Sequence, residues 1–190
     1  GETVLYRHEK TFFNKTGLAA LVESSIPAAD LKAKLTVWNA FQFERVGLNL
    51  RPELIALKDA TGDKAAFAEK AKLIAETSEF NLVLVTGDAD VMKAGIEACK
   101  FKKPLMYAAT AATVDAFGAL AKEYNLPLAV KADSVEALIP LTTKLTEMGL
   151  KDLILDSGSR EMKQALEDQV VIRRAALKQG NRALGFPTIA

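Results

Sequence analysis

The chain has 190 residues, 49% of them hydrophobic, which is enough to build one sizeable core and too apolar for a disordered tail. Its 25 lysines and arginines balance 24 aspartates and glutamates, and no basic run tracks a phosphate backbone or an anionic bilayer, so neither nucleic acid nor membrane is expected as a partner. A single cysteine, Cys99, forbids an internal disulfide. A single histidine, His8, argues against the usual multi-His/Cys metal sites, and a 4Fe-4S cluster, which takes four thiolates, cannot be held by this stretch alone.

No apolar stretch reaches the ~18 residues needed to span a bilayer, and Gly1 to Lys10 lacks the apolar centre of a signal peptide; a cytoplasmic protein is expected. Glu2 to Phe13 reads as a short hairpin, and residues 1–16 are assigned to a cap of the kind that plugs the bottom of a barrel. From there short apolar runs alternate with amphipathic stretches, the pattern of a parallel sheet covered by helices.

A first strand, Leu18 to Val22, leads through Pro27 into a helix with the stripe Leu31, Leu35, Trp38 and Phe41. A second, Leu54 to Leu57, is followed by Asp63 as a helix cap and by Phe67, Ala71 and Ile74 on one face. The third, Leu82 to Val85, runs through Thr86, Gly87 and Asp88 into a helix burying Val91, Met92, Ile96 and Cys99. The fourth, Leu105 to Ala108, precedes a helix with Val114, Phe117, Leu120 and Tyr124 inward.

A fifth strand, Leu128 to Val130, precedes Asp133 and Glu136, spaced as a capping box. The sixth, Leu153 to Leu155, ends at Asp156 and is followed by a long helix with Leu166, Val170 and Leu177 on its inward face, stopped by Gly180. Phe186 to Ala190 reads as the opening of a seventh strand.

Six βα units and a seventh strand over residues 17–190 are most of a (β/α)8 TIM-type barrel, a fold that usually takes roughly 250 residues. A doubly wound open sheet is the competing architecture. The barrel is favoured because the units follow at even intervals with short loops, and because no glycine-rich first turn of the dinucleotide-binding kind is present.

In a barrel any site lies where strands end and βα loops begin. The residues there are Asp59, Asp88, Tyr107, Thr110, Lys131, Asp133, Asp156 and Ser159. Asp88 and Asp133 directly precede helices and read better as caps. The turn from Asp156 through Ser157, Gly158, Ser159 and Arg160 to Glu161 presents several N–H groups and can hold an anion, although Gly158 also serves simply to make the turn and Ser159 to cap the helix.

Asp59 and Lys131 would act as acid and base only in a closed pocket that shifts their pKa values, and otherwise read as solvated rim residues. His8, in the terminal hairpin, is too distant from the strand ends for a triad, and Cys99 reads as core. No catalytic constellation and no metal site is read in this segment.

At Tyr6-Arg7-His8-Glu9-Lys10-Thr11-Phe12 the chain resembles the large (gamma) subunit of the corrinoid iron-sulfur protein. Arg45-Val46-Gly47-Leu48-Asn49, Lys103 to Thr110, Leu153 to Glu161 and Leu184-Gly185-Phe186-Pro187-Thr188-Ile189 carry the same resemblance across essentially the whole chain.

The resemblance implies a subunit of three parts: an N-terminal domain with a 4Fe-4S cluster, a central barrel, and a C-terminal domain that helps bind the corrinoid. Only the barrel is matched, so the corrinoid, its cobalt and the cluster are expected in flanking domains that this stretch lacks. Ser157 stands where family members often have proline, which leaves that turn less rigid.

The resemblance further implies a methyl carrier. Reduced cobalt takes a methyl group from methyltetrahydrofolate or another pterin through a methyltransferase and passes it to acetyl-CoA synthase. The small (delta) subunit, the methyltransferase and acetyl-CoA synthase are the implied partners, with Trp38, Phe41, Phe43 and the Tyr6 to Phe13 hairpin as contact surfaces. The alternative reading is a stand-alone barrel enzyme that binds a pterin or a small phosphorylated substrate at the Asp156 to Arg160 turn.

Overall fold

A computed structural model describes residues 3–5, 10–12 and 16–190. The short strands β1 (Thr3–Leu5) and β2 (Lys10–Phe12) pair antiparallel, with Thr3 opposite Phe12. Tyr6, Arg7, His8 and Glu9, on which part of the resemblance rests, and Phe13 of the expected hairpin lie outside the described residues.

The apolar runs become parallel strands and the amphipathic stretches become the helices between them: β3 (Ala19–Glu23), α1 (Ala28–Ala40), a hairpin of β4 (Phe43–Arg45) and β5 (Leu48–Leu50), β6 (Leu54–Lys58), α2 (Lys64–Thr77), β7 (Asn81–Val85), α3 (Ala89–Cys99), β8 (Leu105–Ala109), α4 (Val114–Tyr124), β9 (Leu128–Lys131), α5 (Val135–Glu147), β10 (Leu153–Asp156) and α6 (Met162–Lys178).

The six parallel strands lie side by side in the order β3-β6-β7-β8-β9-β10, which is their order along the chain. A doubly wound sheet reverses direction at a switch point; this one never does, so it is a (β/α)8-type barrel wall. The wall continues past β10. Thr188 bridges Leu155 in parallel, Leu155 N–H donates to the Pro187 carbonyl at 2.8 Å, and Ile189 N–H donates to the Leu155 carbonyl at 2.9 Å, the first contacts of a seventh strand.

The core lies between the outer face of the wall and the helices. Ile55, Leu57, Leu82, Leu84, Met106, Leu128, Val130, Leu153 and Leu155 supply the wall side, and Leu31, Leu35, Phe67, Ile74, Met92, Ile96, Phe117, Leu138 and Leu145 the helix side. Each such side chain contributes about 1.5–3 kcal/mol by leaving water, so this layer and not the loops sets where the strand ends point. Gly95 of α3 packs against the Phe67 ring, where an added Cβ would lie 2.6 Å from Cε1, so α2 and α3 approach more closely than side chains would allow.

Four expectations from the sequence are corrected. Phe41 falls one residue past the end of α1 and is half exposed, so it does not continue the buried stripe of Leu31 and Leu35. The cap of α5 is Ser134, whose hydroxyl accepts from Ala137 N–H at 3.2 Å; Asp133, one residue earlier, is exposed and does not cap. Leu120 and Tyr124 are only partly buried on α4, where Gly118 and Ala121 complete the inner face.

The inward face of α6 is also different. It is Asp168, Ile172 and Ala175, and the apolar residues Leu166, Val170 and Leu177 point outward. The wheel was misread because one buried position is a carboxylate: Asp168 accepts from Ser159 Oγ at 2.6 Å and Gln164 Nε2 at 2.9 Å, bonds that allow it inside and hold it below the usual carboxylate range.

Candidate functional site

The register of the wall brings Glu23, Lys58, Val85 and Tyr107 level with one another at its C-terminal end, and Lys131 beside Asp156. The polar rim expected from the sequence therefore exists. Its members fall into local groups with separate duties.

Asp59 lies just past β6. Its Oδ1 accepts from Gly62 N–H at 2.8 Å and Thr61 N–H at 3.2 Å, and its Oδ2 from the Thr86 hydroxyl at 3.2 Å, so it ties the β6–α2 turn to the next strand end. Asp88 caps α3, accepting from Asp90 N–H at 2.7 Å and Val91 N–H at 3.2 Å. Asp63 caps α2 through Ala65 and Ala66. Thr110 N–H donates to Thr113 Oγ1 at 3.0 Å inside its own turn. Lys131 is half-buried beside Asp156 in the wall.

The densest cluster joins positions far apart in the chain. Asp156, at the end of β10, is only 1% exposed. The Tyr107 hydroxyl donates to its Oδ2, Arg160 Nη2 donates to the same oxygen at 2.8 Å, Arg160 Nη1 donates to Oδ1 at 3.0 Å, and Gly158 N–H donates to Oδ1 at 2.8 Å. Arg160 Nη2 also reaches the Tyr107 oxygen at 3.0 Å, and Nη1 the Ser159 carbonyl at 3.0 Å.

The electrostatics follow. Burial of Asp156 favours its neutral form, yet the bonds from Arg160, Tyr107 and Gly158 together with the guanidinium charge outweigh it, and the carboxyl stays below its ordinary range. Tyr107 is pushed well above the ordinary phenol range, first by burial and then by the adjacent carboxylate, so it remains a donor. Arg160 is held further into its charged form by Asp156.

Gly158 makes the turn possible. Its φ of +79° favours glycine, and an added Cβ would lie 2.6 Å from the Ala132 carbonyl oxygen, so the α6 turn rests directly on the loop after β9. Ser159 donates to Asp168 inside α6 and does not cap it; no side chain caps that helix.

Both oxygens of the Asp156 carboxylate are thus engaged, by donors from β8 and from the turn that follows β10. The group is built as a clamp across the β8 and β10 ends. Arg160 is half exposed and Asp156 almost fully buried, so the pair has one solvated and one desolvated partner. Two open cavities flank the wall. One of about 260 Å³ lies at the opposite end, lined by Trp38, Arg51, Glu53 and Phe80 among others, and one of about 360 Å³ lies between the starts of α5 and α6.

No group of three or more His, Cys, Asp or Glu side chains among the described residues could hold a metal ion. The lone thiol, Cys99, lies inside the helix layer, where burial pushes its pKa up to about 12. Such a thiol is a poor ligand and a poor nucleophile. Among the described residues no helix is long and apolar enough to cross a membrane.

The profile of one protein family, described as the CO dehydrogenase/acetyl-CoA synthase delta subunit, matches residues 1–190. The chain belongs to that family. The corrinoid/iron-sulfur protein large subunit of Moorella thermoacetica is 41% identical over 189 residues, a match that takes in 100% of this chain and 42% of that protein. Subunit gamma of the acetyl-CoA decarbonylase/synthase complex of Methanosarcina acetivorans is 35% identical over 195 residues, again 100% of this chain and 41% of the relative. The chain therefore spans about two fifths of the length of these relatives, and the resemblance to large (gamma) subunits read from the sequence is borne out over its full length.

Among solved structures, Yersinia pestis DHPS bound to a pterine-sulfa conjugate superposes with a TM-score of 0.58 over 99% of this chain and 75% of that one, at 11% identity. That likeness supports the barrel fold and nothing finer.

Proposed function

We propose that this chain is the barrel portion of a methyl-carrier subunit in the acetyl-CoA pathway, the subunit that accepts a methyl group from methyltetrahydrofolate or another pterin through a methyltransferase and delivers it to acetyl-CoA synthase. The observation that carries the reading is the 41% identity, over the whole of this chain, to a corrinoid/iron-sulfur protein large subunit.

The iron-sulfur cluster that such a subunit uses does not fit these residues. A 4Fe-4S cluster takes four thiolates and the chain has one cysteine, buried in the helix layer. The two open cavities described, of about 260 and 360 Å³, have the size of small-ligand sites. In this reading the flanking domains hold both groups. When bound there, the corrinoid supplies the nucleophile and the leaving group, and protein domains control access to it.

The barrel's own contribution is then rigidity and docking. The Tyr107-Asp156-Arg160 clamp fixes the mouth, and a clamp with every carboxylate oxygen already engaged suits a scaffold better than an acid or base. Docking to the small (delta) subunit, the methyltransferase and acetyl-CoA synthase belongs to the same proposal, with the half-exposed Phe41 and Phe43 among the surfaces offered.

The test is a methyl-transfer assay on the intact gene product under anaerobic, reducing conditions. Methyltetrahydrofolate and the methyltransferase should convert a cobalt(I) absorbance to that of methyl-cobalt, and acetyl-CoA synthase should discharge it. Failure of the spectrum to change with an active methyltransferase overturns the proposal.

A further inference from the structure

Val22, Leu57, Met106, Leu128, Val130 and Leu155 belong to the core between the wall and the helices. Side chains alternate along a strand, so Glu23, Lys58, Tyr107, Ala129, Lys131 and Asp156 stand on the other face of the wall, the inner one in a barrel. At the C-terminal strand ends that face therefore carries charges of both signs, with Glu23 beside Lys58 and Lys131 beside Asp156 in register.

Most of these charges are already spent. Lys58 Nζ lies 3.5 Å from Glu23 Oε1. Arg160, from the turn beyond β10, uses both of its Nη groups twice: Nη1 donates to Asp156 Oδ1 and the Ser159 carbonyl, and Nη2 to Asp156 Oδ2 and the Tyr107 oxygen. Gly158 N–H, a donor that an anion in this turn would use, donates to Asp156 instead. The turn expected from the sequence to hold an anion is therefore filled by its own aspartate. Asp59, just beyond Lys58, is bonded to Thr61, Gly62 and Thr86.

Lys131 is the exception. It is the register neighbour of Asp156 on the same face, yet Arg160, Tyr107 and Gly158 take that carboxylate, and among the described residues Lys131 makes no ion pair and no side-chain hydrogen bond. Asp133, two residues on, is exposed and does not pair with it. Lys131 is nonetheless only partly exposed, and the contact from Tyr107 on β8 to Asp156 on β10 spans β9 on the face that bears it. Its ammonium keeps all its N–H donors free beside a carboxylate that is already satisfied.

We propose that Lys131 anchors a small-oxyanion site in the barrel mouth, taking one carboxylate or phosphate group of a soluble ligand against its ammonium. A compact ammonium with rotatable donors binds such a group as a point charge, and a partly desolvated lysine gains more from it than a fully solvated one. The C-terminal ends of the strands are also where ligands sit in this fold. The clamp has a positional part: it keeps Asp156 engaged elsewhere and leaves the lysine's charge uncancelled. The inference stands on the wall geometry and is independent of the methyl-carrier reading.

The test is reductive methylation of lysines in the intact gene product, with sites and rates read by mass spectrometry in chloride, in phosphate and in acetate at one pH and ionic strength. For a millimolar site, about 10 mM of the anion occupies roughly nine sites in ten and slows Lys131 about tenfold. Lys58, in the same mouth but paired, and Lys163, 89% exposed on α6, should keep their rates. Protection by phosphate alone supports the site with a phosphate group as its ligand, and protection by acetate supports it with a carboxylate. Equal protection of Lys58 and Lys131 would mean diffuse attraction to the mouth and overturn the proposal. So would an unchanged Lys131 rate in both anions, or a Lys131 already unreactive in chloride, which would show a polypeptide segment seated on it.

Discussion

Replacing Arg160 by methionine isolates what the clamp contributes, because it removes the guanidinium and keeps much of the stem. The change deletes the 3.0 and 2.8 Å bonds to the two oxygens of Asp156 and leaves an almost fully buried carboxylate with only Tyr107 and Gly158 N–H as donors. Removing one partner of a fully desolvated pair costs about 3–5 kcal/mol. Arg160 is half exposed, so water enters the vacated place, and the expected loss is about 2 kcal/mol at neutral pH.

The pH dependence gives the prediction its sign. In the native protein the Asp156 carboxyl lies below its ordinary range, so it contributes stability that is present above the unfolded pKa of about 3.9 and is lost as pH falls through the lower folded pKa. Without Arg160 the burial that favours the neutral form loses its main opponent and the folded pKa rises. Protonation then relieves the variant, so its deficit against the parent shrinks from pH 7 towards pH 4.

Urea unfolding followed by far-UV circular dichroism at pH 7 and pH 4.5 reads both effects. With a denaturant slope of about 2 kcal/mol per molar, the midpoint should fall by about 1 M at pH 7 and by distinctly less at pH 4.5. A deficit below about 0.5 kcal/mol, or one equal at the two pH values, would refute the account of Asp156 as a buried, arginine-held carboxylate.

Two further outcomes follow from the same geometry. Gly158→Ala should cost about 2–3 kcal/mol in the same unfolding assay, because it adds a strained φ to a clash with the Ala132 carbonyl, and a loss under about 0.5 kcal/mol would mean that the turn is not seated there. Cys99 should resist thiol reagents at pH 8 in the folded protein and react fully in denaturant, since burial pushes its pKa up to about 12; rapid labelling of the native protein would show the helix layer to be open.

The wall was legible because its signals are local. Runs such as Leu82 to Val85 and Leu153 to Leu155 are short, apolar and bounded by turn residues, and Asp63 and Asp88 stand one residue before their helices with their side chains free to cap. Where long-range packing decides, the sequence misled. The periodicity of α6 selects Leu166, Val170 and Leu177, yet the helix buries Asp168 because Ser159 and Gln164 satisfy it, and that partnership has no signature in spacing.

The β4–β5 hairpin was missed for a different reason. Val46 and Gly47 both take positive φ, 51° and 72°, at its turn, and valine is a residue that normally avoids that region, so no Asn-Gly or Asp-Gly signal marks the site. The clamp lay halfway between. Tyr107, Asp156 and Arg160 were all on the rim by position, but the contact between residues 49 apart in the chain depends on β8 and β10 flanking β9 in the wall.

The central claim, that these residues are the barrel portion of a methyl-carrier subunit, is tested most directly by the intact mass and the cobalt and iron content of the gene product purified anaerobically from its native source. The account predicts a chain more than twice the 20.5 kDa of this stretch, carrying cobalt and iron. A mature chain near 20.5 kDa, free of cobalt and iron, would contradict it and leave a stand-alone barrel as the protein to explain.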